Sequence, residues 1–281
     1  MTAPLVSVVV PAYQSEQYVA ETLMSALDQT YPLLEIVIGD HSSTDRTWEI
    51  VNRFAGDPRV RLVRTSAGGG AARNWNRVTD EARGKYVKLL CADDLLRPTC
   101  VEEQVRVAEE HPGIVMVAAK RDIVDARGVP LVRSRGLAGL DGLVRGDLAI
   151  RHTVRAGTNV FGEPACVLLR TETVRDVGGW APNQAYLIDE DLYVRVLRRG
   201  WLYALPRSLA AFRVSESQWS VSLARSQASQ AASFHRRLRR EHPEVVSSFD
   251  QWLGSRRAAM MAWKRRAAYL VWARRMRAAE R

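Results

Sequence analysis

Apolar and polar positions along the first two thirds of the chain alternate between two periods. A β-branched run at 5–10 stops at Pro11-Ala12-Tyr13 and predicts a first strand. From Glu16 the apolar residues Val19, Leu23, Met24 and Leu27 return at three- and four-residue steps, which predicts a helix broken by Tyr31-Pro32. The same reading gives strands at 34–38 and 60–63, a helix with Trp48, Ile50, Val51 and Phe54 inward, and a third helix over 71–82. A fourth apolar run, 87–91, stops abruptly on Asp93-Asp94. Strands alternating with helical pieces of about 10–15 residues predict a parallel sheet with right-handed crossovers.

Beyond that point the pattern predicts a helix at 98–110 and a strand at 114–119. The Gly- and Arg-rich stretch 120–160 has weak periodicity and reads as a hairpin or loops plus one helix near 143–154. A short strand at 165–169 precedes a helical turn at 171–177, which ends at Gly178-Gly179. A helix at 189–199 closes on Gly200, and strands at 202–205 and 210–214 follow. From Ser220 onward the chain is helical and basic.

Composition sharpens this picture in two ways. The three cysteines, Cys91, Cys100 and Cys166, are odd in number and form no C-x-x-C pair. They speak for a reducing compartment, here the cytoplasm, and against a disulfide frame or a zinc site. No stretch approaches the roughly 18 apolar residues of a membrane span. Met1-Thr2-Ala3-Pro4 leads into the first strand without a basic n-region, so no signal peptide is expected. The net charge of +10 is unevenly placed: residues 1–222 hold 27 basic and 27 acidic residues, and 223–281 hold 14 against 4. A neutral core with a basic tail suits contact with an anionic surface.

The candidate chemistry lies at strand ends, where open α/β sheets hold ligands. Asp93 and Asp94 suit a hard divalent cation bridging two phosphates, and equally suit the first turn of a helix. Asp40, ending the second strand, suits a base N–H or a ribose hydroxyl, although Asp40, Ser42, Ser43, Thr44 and Asp45 are also capping residues. Gly68-Gly69-Gly70 before Arg73 resembles a phosphate loop but lacks the G-K-[ST] of a P-loop, and a plain loop fits as well. Asp189, Glu190 and Asp191 follow the loop 178–184 and suit either a base beside a pocket or a charged helix start.

These segments together resemble the family-2 glycosyltransferases, the inverting nucleotide-sugar enzymes of the GT-A group, over roughly residues 5–215. The resemblance rests on five motifs in order: Ser7 to Tyr13; Glu35 to Asp40 with Ser43 to Thr47; Ala72-Arg73-Asn74 before Gly84-Lys85-Tyr86; Cys91 to Asp94; and Gly178-Gly179-Trp180 with Asp189, Asp191, Leu192 and Arg195. Arg213 before Ser220 or Ser222 completes it. It implies an α/β fold, a GT-A-like and Rossmann-related, mostly parallel sheet flanked by helices over 1–218, with a basic helical extension over 219–281. It also implies transfer of a sugar from a nucleoside diphosphate donor to an acceptor hydroxyl with inversion.

By that resemblance Pro11, Ala12, Tyr13, Asp40, Arg73 and Asp93 bind the donor, and Asp93 with Asp94 holds Mg2+ or Mn2+ on the diphosphate. Asp189 is the general base, and Gly179, Trp180 and Asp191 border the acceptor. The chain departs from the family at four places: Cys91 for the first Asp of D-x-D, His41 for the second Asp of the strand-two pair, Ile188 for the Glu before the base, and Ser215 for a frequent His. Fewer anionic ligands predict weaker cation binding, and an apolar Ile188 predicts a raised pKa at Asp189. The same departures motivate the alternative of a non-catalytic nucleotide-sugar-binding partner subunit of a glycosyltransferase complex.

In 256–277, Met260, Trp263, Ala267, Leu270 and Val271 form an apolar stripe among basic residues, while Tyr269, Trp272 and Met276 fall on another side. This suits an interfacial helix on anionic lipid, with Trp252 adding to the contact from 252–281. It suits equally a helical pair packed on the core or on a second subunit of a homo-oligomer. On the lipid reading the chain is peripheral at the inner face of the membrane and its acceptor lipid-linked, in envelope polysaccharide or glycolipid assembly; otherwise a soluble natural-product acceptor, as in glycoside synthesis, is expected. Nucleic acid is not an expected partner, since no reader motif accompanies the charge.

Overall fold

The computed structural model describes residues 3–182, 185–215 and 226–277. The 218/219 boundary, Ser220, Ser222, Asn183 and Gln184 lie outside them. The elements begin β1 (Val6–Ala12), α1 (Val19–Leu27), β2 (Leu34–Asp40), α2 (Thr47–Asn52), β3 (Val60–Arg64), α3 (Gly70–Asp80) and β4 (Tyr86–Leu89). They continue with β5 (Leu95–Leu96), α4 (Cys100–Glu110), β6 (Ile114–Val124), β7 (Pro130–Arg135), β8 (Gly142–Arg145), α5 (Gly146–Ala156) and β9 (Val167–Arg170). The chain closes with α6 (Thr171–Asp176), α7 (Ile188–Leu197), β10 (Trp201–Arg213), α8 (Gln227–Glu241) and α9 (Ser248–Arg277).

The strands form one sheet in the order β3-β2-β1-β4-β9-β6-β10-β5, with β7 on β6 and β8 on β10. The β3-β2-β1-β4 half is wholly parallel. Its middle residues Val8, Val9, Val10, Ile36, Val37 and Ile38 are fully buried, and each such side chain stabilises by roughly 1.5–3 kcal/mol. The other half is mixed: β9 runs antiparallel to both β4 and β6, and β10 runs parallel to β6. Two reversals through β9 leave β1, β2, β4, β6 and β10 pointing the same way. Their carboxyl ends therefore meet along one edge, and the candidate residues collect there.

Two strands differ from the pattern's prediction. β6 continues past 119 to Val124 because its charged residues find partners: Arg121 on Glu163, and Asp122 on Arg97 and on Ser134 and Ser208 of β7 and β10. The predicted strands at 202–205 and 210–214 are one strand, β10, whose register shifts between Leu205 and Ala210 absorb Pro206.

The two C-terminal helices pack on the sheet layer. Phe234, Leu238, Val245, Val246 and Ala258 belong to the same buried cluster as the central strands. α9 crosses the end of α5 where Gly157 (φ 66°) meets Gly254, and a Cβ on Gly254 would lie 2.1 Å from the Val154 carbonyl oxygen. Arg155 pairs with buried Asp250, and Arg275 with Asp125 at 2.8 Å. Tyr269, Trp272 and Met276 cover Ile123 and Val214, so one face of α9 takes the packed alternative.

Candidate active site

The nucleotide end is built where β1, β2 and β3 stop. Asn74 on α3 ties these ends together: its amide donates to the Ala12 and Gly39 carbonyls (3.3 and 3.0 Å) and accepts from Thr65 Oγ1 at 2.8 Å. Gly68, Gly69 and Gly70 all have positive φ, a conformation that glycine adopts with less strain than any residue bearing a Cβ, and they turn the chain into α3. His41 Nε2 is 2.9 Å from the Gly68 carbonyl, and its ring lies 5.9 Å from the exposed ring of Tyr13. Asp40 is fully buried, and its Oδ2 has no hydrogen-bond partner among the described residues. Its one charged neighbour among the described residues is Arg64 Nε at 3.8 Å, beyond hydrogen-bond reach, so this oxygen is fitted to receive a donor from a ligand. Pro11, Ala12, Tyr13 and Asp40 are thus brought together at one end. Arg73 joins them only at the glycine loop, where it donates to Ser66 Oγ (2.6 Å) and the Ala67 carbonyl (3.3 Å).

The second part of the site is the turn after β4. Cys91, Asp93 and Asp94 place their sulfur and oxygen atoms within 4.8 Å of one another. Arg213, at the end of β10 and 2% exposed, holds this turn in place. Its backbone N–H donates to Asp94 Oδ1 (3.1 Å), its Nε to the Asp93 carbonyl (2.9 Å), and its Nη2 meets Glu21 at 2.6 Å. Asp94 Oδ2 is buried and without a partner among the described residues. Burial, then the Asp93 charge, pushes the Asp94 carboxyl well above the usual carboxylate range. Burial likewise pushes the Cys91 thiol up, aided by Asp94, Asp93, Asp189 and Glu163. An unpartnered carboxylate oxygen beside a second carboxylate and a thiol is a donor set that a divalent cation fits.

The third part is the start of α7, where three consecutive acids do three different things. Asp189 Oδ2 accepts from Asn159 Nδ2 at 2.9 Å and its Oδ1 from the Glu190 N–H at 2.8 Å. Burial raises its pKa to about 7, against those two bonds. The direction is the expected one, but Ile188 itself lies in the core cluster. Glu190 is buried and accepts from Thr153 Oγ1 at 2.8 Å. Asp191 is held between Arg195 (2.8 Å) and Arg237 of α8.

The three residues expected to border the acceptor are placed as follows. The Asp191 carboxylate, 5% exposed, reaches the Gly179 loop only through Arg195, which donates to the Val177 and Gly179 carbonyls. Trp180 is 3% exposed, with its Nε1 on Thr79 Oγ1 and its ring edge-on to Trp75. Gly179 sits against Asn76, where a Cβ would approach Oδ1 to 2.4 Å. These residues anchor the loop to α3 and α7, and the side chains of Trp180 and Asp191 are taken up by that packing.

Sequence reading missed Asn159, His41 as a site residue, and the Arg121–Glu163 pair. Glu163 acts on Cys91, Asp94 and Asp189 alike, so it lies within electrostatic reach of both acidic centres. The segment that carries it is fixed by buried Lys88, whose Nζ donates to the Ala165 and Val167 carbonyls at 2.8 and 3.1 Å. No periodic signal marks Asn159 or Glu163, because both lie in irregular chain. His41 carried a usable signal, standing beside Asp40 at a strand end.

The fold has counterparts among known proteins. The chain superposes on S. aureus TarS 1–349 in complex with UDP-GlcNAc with a TM-score of 0.66, at 20% identity over 84% of this chain and 66% of that one. On the mannosyltransferase PcManGT from Pyrobaculum calidifontis, in complex with GDP-Man and Mn2+, the TM-score is 0.68, at 20% identity over 95% and 76%. Among curated relatives, the putative teichuronic acid biosynthesis glycosyltransferase TuaG of Bacillus subtilis is 36% identical over 109 residues, 38% of this chain and 43% of TuaG. The Escherichia coli UDP-Glc:alpha-D-GlcNAc-diphosphoundecaprenol beta-1,3-glucosyltransferase WfaP is 37% identical over 105 residues, 37% of this chain and 41% of WfaP. The chain thus spans less than half the length of these two relatives. Residues 7–177, which carry the Asp40 pocket and the Cys91–Asp94 turn, match the family described as Glycosyl transferase family 2, and the chain belongs to that family.

Proposed function

We propose that this chain is an inverting glycosyltransferase that moves a sugar from a nucleoside diphosphate donor to an acceptor hydroxyl. One observation carries the reading: Asp189, oriented by Asn159 and raised to about 7, shares an electrostatic cluster with the Cys91–Asp93–Asp94 turn. A base at one side of a diphosphate-binding end is the arrangement that in-line displacement needs. Asp189 would take the proton of the acceptor hydroxyl as its oxygen bonds to the anomeric carbon. The bond from that carbon to the diphosphate oxygen breaks on the opposite face, giving inversion. Tyr13, His41 and the Asp40 Oδ2, which has no hydrogen-bond donor among the described residues, support nucleotide binding at the other end.

Asp93 and Asp94 would hold Mg2+ or Mn2+, and such a cation supplies positive charge to the departing diphosphate. The thiol of Cys91 replaces a carboxylate there and makes the site a weaker one. TarS and PcManGT are described with UDP-GlcNAc and GDP-Man, which supports a nucleotide-sugar as the donor class. WfaP is named for an acceptor on diphosphoundecaprenol and TuaG for teichuronic acid synthesis, which supports an envelope glycan or glycolipid as the acceptor class. Three free cysteines support a reducing, cytoplasmic setting.

Donor hydrolysis and transfer by the wild type and by Asp189→Asn test the reading. Loss of the base is expected to cost about 100-fold or more in kcat. Equal rates in the two proteins would remove Asp189 as base. Inactivity of both toward every donor that binds would favour the non-catalytic partner subunit, the reading that Cys91 in place of an acid supports.

A further inference from the structure

α9 has two apolar faces, and only one of them is packed. At three- and four-residue steps, Gly254, Ala258, Ala262, Arg265, Tyr269, Trp272 and Met276 turn toward α5, α8 and the strand ends. On the opposite side, at steps of eight, three and seven residues that keep one helix face, Trp252, Met260, Trp263 and Leu270 stand in solvent, with Val271 beside Leu270. Their exposures are 50, 47, 70, 80 and 79%. Phe249, 58% exposed, extends the stripe at its N-terminal end and stacks on Trp252. Contiguous exposed apolar side chains of this kind mark an interaction surface rather than ordinary exposure.

The charge around the stripe selects the partner. Arg256 lies 5.0 Å over the Trp252 ring, Lys264 borders the same face, and Asp250 is the single acidic residue on α9, whereas Arg257 turns back to the Arg155 carbonyl at 3.1 Å. Asp250 is 1% exposed and occupied by Arg155 and Ser247, so it does not reach this face. Two copies packed stripe to stripe about a two-fold axis would set cation against cation. An anionic bilayer instead receives the apolar residues below its headgroups and the basic residues among them, and tryptophan favours that boundary. No described helix is long and apolar enough to cross a membrane, so contact of this face is interfacial.

We infer that the outer face of α9, centred on Trp263 and Leu270, docks this protein onto an anionic lipid bilayer. The docked helix also reaches the catalytic end. Arg265, on the inner side of the turn that carries Trp263 and Lys264, donates to Thr158 Oγ1 (2.6 Å) and lies 5.4 Å over the Tyr186 ring. Thr158 directly precedes Asn159, the residue that orients Asp189. Docking therefore sets the acceptor side of the site near the bilayer, where a hydroxyl carried on a lipid headgroup would meet it. This last step rests on the glycosyltransferase reading, whereas docking itself does not.

Co-sedimentation of the full chain with vesicles of phosphatidylcholine, alone or mixed with phosphatidylglycerol, tests the inference. The wild type should pellet with the mixed vesicles and be released by high salt, because exposed charge contacts are screened. A Trp263→Ser/Leu270→Ser/Val271→Ser variant should stay in the supernatant, and an Arg256→Glu/Lys264→Glu variant should bind at least about 25-fold more weakly, roughly fivefold per basic residue lost. Thermal midpoints and UDP or GDP binding should match wild type in both variants, since none of these side chains enters the core or the site. Wild type left in the supernatant while still binding nucleotide would overturn the inference, as would a serine variant that pellets like wild type. Sedimentation equilibrium showing a wild-type dimer that the serine variant reduces to a monomer would assign the face to a second copy instead. Failure of sugar transfer alone would leave the lipid result standing, so the two readings fall separately.

Discussion

The carboxyl of Asp189 is subject to opposing influences: burial raises it to about 7, while the Glu190 N–H and the Asn159 amide favour its charged form. A base works only when unprotonated. The kcat/KM of the free enzyme should therefore rise about tenfold per pH unit below about 7 and level off above it. In Asn159→Ala, the loss of a donor to the charged form should move that limb to higher pH and lower kcat/KM by roughly 10- to 100-fold through misplacement of the carboxylate. Initial rates between about pH 5 and 9 read both effects, and a limb at an ordinary aspartate value in wild type would sink the account. Asp93, Asp94 and Asp189 were legible in the sequence because acids that interrupt apolar patterns at strand ends and helix starts stand out. Asn159 was not, because a neutral residue in an aperiodic loop acquires its role only from what folds against it.

At the scale of elements, α5 and α9 approach closely enough at Gly157 and Gly254 for backbone to meet backbone, beside the Arg155–Asp250 ion pair. A Cβ on Gly157 would lie 2.5 Å from the Ala258 nitrogen, and one on Gly254 would lie 2.1 Å from the Val154 carbonyl oxygen. Gly254→Val should therefore force α9 away from α5 and lower unfolding stability by about 1–3 kcal/mol. Urea titration measures this, and an unchanged midpoint would mean that the helices do not pack this closely in solution. The helicity of the tail and its two apolar sides came from spacing, but which side packs did not. An apolar stripe looks the same in sequence whether it faces protein or solvent, and here the more regular stripe is the exposed one. The residues off that stripe, Tyr269, Trp272 and Met276, make the contact with Ile123 and Val214.

At the scale of the whole molecule, nucleotide and cation are expected to stabilise the fold together, because Asp40 from β2 and Asp93 from the turn after β4 lie at separate strand ends of one sheet. A nucleotide present at about 100 times its Kd adds about 2.7 kcal/mol and raises Tm by several degrees. In a panel of nucleoside diphosphates with and without Mn2+, one base should give the larger shift. Cys91→Asp, which restores a carboxylate to the turn, should enlarge the Mn2+-dependent part of it. Equal shifts for every nucleotide, or no gain from the substitution, would count against the assigned pocket or against Cys91 as the weakened ligand.

The sequence alone determined the βα alternation, the parallel half of the sheet and the family, because buried strands and amphipathic helices impose their periods on consecutive residues. It also determined which acids end the strands. The tertiary structure decided what local pattern does not encode. It carries β6 through Arg121 and Asp122 because their partners arrive from distant segments. It takes Trp180 and Asp191 into packing and ion pairs, brings Asn159 and Glu163 to the acids, and leaves one stripe of α9 bare. Each of these depends on contacts between residues far apart in the chain, and such contacts exist only once the sheet has assembled.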